Sequence, residues 1–216
     1  CVVEAFQGAL PQSEVVDAVL GADVLISCTD QEHGRLAISD LAHRYLLSAL
    51  DCGVLIEGEG GQVTGVIAQF TRFLAADACP FCRGMVVQER LNQELMPPEE
   101  RVERQRAAEA ARLAGDDPGP YWRAQPQLST VGFHTTAVGA LAAGYAIGWI
   151  TGRFRPPFTR LQVNFVAPLL DVTDLTQQLE PPRPHCSCRK ARGWADQGAR
   201  HALIAAPQHW TAPIRL

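Results

Sequence analysis

The sequence predicts an α/β fold, and three observations carry that reading. Two short apolar runs, Val24–Cys28 and Ala49–Ile56, bracket a stretch of helical periodicity from His33 to Leu47. Continuous apolar runs of that length suit parallel strands buried on both faces. Strand–helix–strand alternation of this kind builds a sheet through right-handed crossovers. Glycines at 53, 58, 60, 61 and 65 then read as the turn region of an antiparallel hairpin that continues over Gln62 to Phe73.

The remaining elements follow in chain order. Val2 to Phe6 reads as a strand, and Ser13 to Leu20 as a short helix with Ser13 as its N-cap and Gly21 at its end. In the helix from His33, Leu36 and Leu41 share one side. The segment 85–127 changes character. It is rich in Glu, Arg, Gln and Ala, carries a charged helix over Pro98 to Leu113, and is broken by Gly115 to Pro120. It reads as a long, mobile crossover running over the surface. Val131 to Ile150 is apolar throughout, close to the length that spans a bilayer. Its His134, its Thr and Gly interruptions and the lack of flanking Lys/Arg asymmetry favour a buried core helix over a membrane span. Gly139, Gly144 and Gly148 would let another backbone approach it. A strand over Arg160 to Ala167 follows.

Composition bounds the function. The chain has 216 residues, 47% apolar and 19% charged, which excludes a wholly disordered chain and fits one large domain or one and a half small ones. Net charge is -4 with both signs mixed, so no basic face for nucleic acid is expected. The chain opens at Cys1 and runs straight into a strand, from which further residues upstream are expected. No signal-peptide pattern precedes it. Its seven cysteines are odd in number, which favours reduced thiols and a metal site over a disulfide framework and suggests the cytoplasm.

Cys79-Pro80-Phe81-Cys82 and Cys186-Ser187-Cys188 are the sharpest local motifs. Two thiolates separated by two residues can reach one tetrahedral ion, and a second pair completes a four-thiolate set of the kind that binds structural zinc. The second pair has one spacer rather than two, and the adjoining His185 can replace a thiolate. A redox pair at 79/82, or four unrelated buried thiols, are the alternatives. Cys28 and Cys52 lie in apolar strands, where thiols are inert.

Thr29-Asp30-Gln31-Glu32-His33-Gly34-Arg35 follows directly on the first apolar strand. Ligands of open α/β sheets sit beyond the carboxyl ends of strands. An Asp there can hold magnesium or orient a nucleotide, and an Arg one turn into the next helix can meet phosphate charge. Alternatively, Asp30 is only a helix N-cap. Tyr121-Trp122 and Pro126-Gln127 read as anchors of the crossover, or as a cover for a bound chain.

This order of parts resembles the ThiF/MoeB/HesA adenylating enzymes over residues 1–193. The Thr29-Asp30-Gln31 strand end, Arg35, the glycine-rich turn, the first cysteine pair, the crossover, the small-residue helix and the last cysteine pair all take their places in turn. The resemblance implies a Rossmann-like, mostly parallel sheet, of which this chain carries the second half, with an antiparallel extension. Residues 1–84 would be that half, 85–127 the crossover, 128–193 the closing helix, strand and second cysteine pair, and 194–216 a tail. It implies that Asp30, Gln31 and Arg35 bind ATP and Mg2+, with Asp30 catalytic. Cys79, Cys82, Cys186 and Cys188 would hold Zn2+. The substrate would be the C-terminal tail of a ubiquitin-like or sulfur-carrier protein, and the enzyme a homodimer. A non-catalytic scaffold of the same fold that binds a peptide or partner is the alternative. Two features depart from the family pattern. The family's glycine-rich phosphate loop lies upstream of Asp30, and no GxGxxG occurs in these residues. No cysteine lies between Cys82 and Cys186 to act as a crossover nucleophile.

Overall fold

The apolar runs and the glycine-rich turn become neighbouring strands of one sheet. The computed structural model describes residues 3–123, 132–166, 170–178, 181–195, 207–210 and 214–215. The elements are β1 (Phe6–Gln7), α1 (Ser13–Val19), β2 (Val24–Ser27), α2 (Glu32–Arg44), β3 (Ser48–Glu59) and β4 (Gln62–Phe73). They continue with α3 (Gln88–Leu95), α4 (Pro98–Ala114), α5 (Gly132–Ile150), β5 (Arg160–Asn164), β6 (Asp171–Asp174), a 3-10 turn (Thr176–Gln178), α6 (Ser187–Lys190) and β7 (Ile214–Arg215). The expected Val2, Val131 and Ala167 ends, and Pro126-Gln127, lie outside the described residues.

The main sheet has the order β2-β3-β4-β5-β6. Only β2 and β3 run parallel, from Val24 opposite Ser48 to Ser27 opposite Asp51. The β3–β4, β4–β5 and β5–β6 neighbours are antiparallel. The expectation of a mostly parallel sheet is therefore corrected among the described residues: one parallel junction leads into an antiparallel meander. The cause is local. Gly60 and Gly61 take φ of 58° and 81°, the left-handed pair that lets β3 reverse directly into β4 without a crossover helix. The opening strand is also shorter than predicted, because only Phe6–Gln7 finds a partner, in β7.

Strand parity sends alternate residues to opposite faces. Leu25, Ala49 and Phe73 pack with Ile38, Leu41 and Ala42 of α2. Leu50, Cys52, Ala68, Phe70, Leu161 and Val163 pack with Val138, Ala142 and Trp149 of α5. The sheet is thus covered by α1 and α2 on one face and by α5 on the other. Each fully buried aliphatic or aromatic side chain in these layers contributes roughly 1.5–3 kcal/mol.

Three further expectations change. Ser13 is the first helical residue rather than the cap; Gln12 takes the cap position without a side-chain cap bond, its Oε1 accepting from the Ala9 amide instead at 2.7 Å. The 85–127 segment is not confined to the surface, since Leu91 of α3 is buried against Leu36 and Ala37 of α2. Helix α5 is buried on one side only: Phe133, Ile147 and Ile150 are 65%, 62% and 65% exposed. Among the described residues, no helix is long and apolar enough to cross a membrane. Of the α5 glycines, Gly148 admits the Phe154 ring rather than a backbone; a Cβ there would lie 2.1 Å from it.

Candidate functional site: the carboxyl end of β2 and the cysteine cluster

The loop after β2 is held on every side. Thr29 Oγ1 accepts the Gln31 amide at 3.1 Å. The Thr29 methyl lies against Gly34, where an added Cβ would come within 2.9 Å of it, so the first turn of α2 needs glycine at that position. The Asp30 carbonyl accepts from the Arg90 guanidinium of α3. Gln31, not Asp30, occupies the N-cap position of α2, and it makes no side-chain cap bond. The first amides of α2 are met from the crossover instead. Glu94 Oε1 accepts the Glu32 amide and Oε2 the His33 amide, each at 3.0 Å. The same carboxylate lies 3.0 Å from His33 Nδ1 and 3.3 Å from Arg90 Nε. A carboxylate at a helix N-terminus gains from both the unpaired N–H groups and the helix dipole. Burial pushes the Glu94 carboxyl up, but the bonds from His33 and the two amides outweigh it and hold the group below its ordinary range.

Arg35 points to the sheet. Its Nε donates to Asp51 Oδ2 at 2.8 Å, and a terminal nitrogen lies 3.6 Å from Glu32. Asp51 reaches Arg35 because it stands opposite Ser27 in the β2–β3 register, on the face of β3 turned to α2. Burial pushes the Asp51 carboxyl up, against the pull of the Arg35 charge. Burial also disfavours the Arg35 charge, and the Asp51 charge and hydrogen bond reverse that effect.

A cavity of about 290 Å³ opens at this end of the sheet, within reach of the size range of small-molecule sites. Asp30, Arg35 and Arg90 line one side, Cys52 and Gly53 of β3 its floor, and Thr135 and Gly139 of α5 the other side. Asp30 and Arg90 also border a second, polar cavity of about 350 Å³ with Gln93, Arg101 and Trp122. Cys28, expected inside the strand, instead follows the end of β2 and is exposed, lining the first cavity beside buried Cys52; desolvation raises both thiols.

The four predicted cysteines meet at a separate point. The Cys79, Cys82, Cys186 and Cys188 sulfurs all lie within 4.8 Å of one another. Cys79 and Cys186 are 3.6 Å apart and Cys82 and Cys188 3.8 Å. Four sulfurs about 2.3 Å from one ion stand roughly 3.8 Å apart, so the set fits a tetrahedral centre. Gly84, with φ of 64°, closes the first turn. The Arg183 amide donates to Cys82 Sγ at 3.4 Å, a contact that steadies a thiolate. Hydrogen bonding within the cluster pulls the Cys188 thiol down and pushes the Cys79 thiol up. His185 is exposed and outside the cluster.

With this geometry in hand, the sequence matches the ThiF family over residues 1–190. The chain belongs to the ThiF family. Among solved structures it is similar to E. coli MccB with succinimide, at 13% identity and a TM-score of 0.49, covering 85% of this chain and 44% of that one. It is also similar to MccB in complex with N-formylated MccA, at 14% identity and 0.49, covering 83% and 44%. The chain thus spans less than half the length of those proteins. No curated protein matches it. In this ThiF-family chain, the sequence singled out Asp30, Gln31 and Arg35, which the structure places at the loop after β2 and the start of α2, and the four cysteines, which it brings together; Asp51, Arg90 and Glu94 beside the loop were not singled out. Asp51 did carry a signal, a carboxylate inside an apolar strand, which requires a buried partner.

Proposed function

We propose that the protein is an ATP-dependent adenylating enzyme acting on the C-terminal carboxylate of a ubiquitin-like or sulfur-carrier protein. The observation that supports this most is the fixed Asp30 loop, exposed at the carboxyl end of a parallel strand and bordering a cavity, in a chain of the ThiF family. In the reaction a carboxylate oxygen attacks the α-phosphorus of ATP. The bond between that phosphorus and its bridging oxygen breaks, pyrophosphate leaves with the electron pair, and an acyl-adenylate remains. Asp30, with Gln31 beside it, would hold Mg2+, which supplies charge neutralisation of the phosphates. Arg90 and Arg35 add positive charge to the same wall, and the enzyme's share is positioning and electrostatic stabilisation. The polar cavity beside Trp122 would take the substrate's tail.

The cysteine cluster would hold one Zn2+ as a closed structural site, since all four positions are filled by protein sulfur. The exposed apolar side of α5, with Phe133, Ile147 and Ile150, would pair with a second copy of the chain, and sedimentation reading a monomer at micromolar concentration would refute that. A cytoplasmic location accords with reduced thiols.

One observation favours the alternative of a non-catalytic scaffold. Arg35, expected to meet phosphate, is already bound by Asp51 and Glu32. ATP–pyrophosphate exchange by the full-length protein separates the readings. Asp30→Ala should lower exchange by about a hundredfold or more with the melting temperature unchanged. Exchange that persists in Asp30→Ala would overturn the adenylation reading.

A further inference from the structure

Helix α3 presents Arg90 and Glu94 one turn apart, and both reach back across the chain to the loop after β2. The loop's own residues do not account for its conformation. Gln31 leaves the start of α2 without a side-chain cap of its own, and among the described residues the local side-chain bond in the loop is that from Thr29. What holds Asp30's peptide is the Arg90 guanidinium on its carbonyl, and what holds the following two amides is the Glu94 carboxylate. Arg90 Nε and Glu94 Oε1 are themselves 3.3 Å apart, so the two act as one unit. That unit is in turn supported. Leu91, between them on α3, is buried against Leu36 and Ala37 of α2. His33 backs Glu94 from the other side, and the Trp210 ring lies 4.9 Å from the His33 ring. A conventional side-chain cap from residue 30 or 31 would have turned that residue inward, onto the helix amides. By taking over the capping, Glu94 leaves Asp30 exposed at the cavity mouth.

We infer that Arg90 and Glu94 are positioning residues of the reaction, clamping the loop so that the Asp30 carboxylate faces the nucleotide cavity. The crossover is then part of the site's frame rather than a strap over it. The inference rests on the adenylation reading above, in which Asp30 holds Mg2+.

The test uses the full-length protein and two readouts. In Glu94→Gln and Arg90→Ala, the Mg2+ concentration giving half-maximal pyrophosphate exchange should rise about tenfold, the loss expected when a charge-assisted hydrogen bond is removed. Arg90→Lys, which can still donate to the carbonyl, should recover most of it. Hydrogen exchange of the Glu32 and His33 amides should quicken about tenfold in Glu94→Gln while the melting temperature stays near that of the wild type. The clamp is overturned if Mg2+ dependence and the two amides are unchanged, or if every amide of α2 quickens in step with a lowered melting temperature. If Asp30→Asn keeps wild-type exchange, the adenylation reading itself fails, whatever the amides show.

Discussion

Removing the Asp51 carboxylate tests whether that residue is what holds Arg35 in the cavity wall. The Arg35 side chain is 17% exposed and that of Asp51 5%, with Nε and Oδ2 2.8 Å apart. Two unit charges about 4 Å apart attract by about 4 kcal/mol at an effective dielectric near 20. Glu32 remains 3.6 Å from Arg35 and offsets part of that loss. Asp51→Ala should therefore cost about 3 kcal/mol, the low end of what an orphaned buried charge costs. Replacing both partners, with Asp51→Leu and Arg35→Met, should recover much of it, because no charge is then left without a partner. Urea denaturation is the assay, read as a lowered midpoint at unchanged slope. A loss below about 1 kcal/mol, or a double variant no more stable than Asp51→Ala, would refute the reasoning.

Two other outcomes are expected. Elemental analysis should find about one zinc per chain, and Cys82→Ser should lower metal content and melting temperature together; zinc-free protein of unchanged stability would count against the structural site. The Glu94 carboxyl lies below its ordinary value of 4.5 in the fold. A depressed acid contributes stability that is fully present above its unfolded value and lost as pH falls through its folded one. The stability gap between wild type and Glu94→Gln should thus be constant above pH 4.5 and shrink below it; a gap that persists under acid would refute this.

The parts legible in the sequence are those whose signal is local or chemically narrow. Apolar runs mark β2 and β3 because a buried strand needs them, and Gly60-Gly61 marks the reversal because the turn needs left-handed φ. Gly115 ends α4 with φ of 83°, as the breaker run implied. The cysteines stand more than a hundred residues apart, yet thiols are so restricted in use that the pairs could be matched. The parallel β2–β3 and antiparallel β3–β4 senses were legible from the crossover and the glycine turn, but the place of β5 was not. Alternation and apolarity show that β5 is a strand, but not which strand it joins or in which sense. Nor was the Glu94 cap, which acts over a separation of 61 and 62 residues. A helix start with no capping residue of its own is the trace it leaves: Gln31 stands where Ser, Thr, Asp or Asn is expected.

The cysteine cluster and the Asp30 loop are separate sites joined by one rigid element. Helix α2 has 13 residues, a rod of about 20 Å. Its C-terminal end is gripped by the turns that carry the cysteines. His43 Nε2 lies 2.7 Å from the Asp77 carbonyl, two residues before Cys79. The Gly193 amide donates to the His43 carbonyl at 3.0 Å, and Arg44 donates to the Ala195 carbonyl at 2.8 Å. Its N-terminal end is gripped by Glu94. A metal centre that drew the two cysteine turns together would therefore fix the far end of the same rod whose near end carries Glu32, His33 and Arg35. On the proposed reading the cysteines would act on the site through packing and hydrogen bonds along α2 rather than through chemistry at the cavity, so no cysteine of the cluster would need to face it.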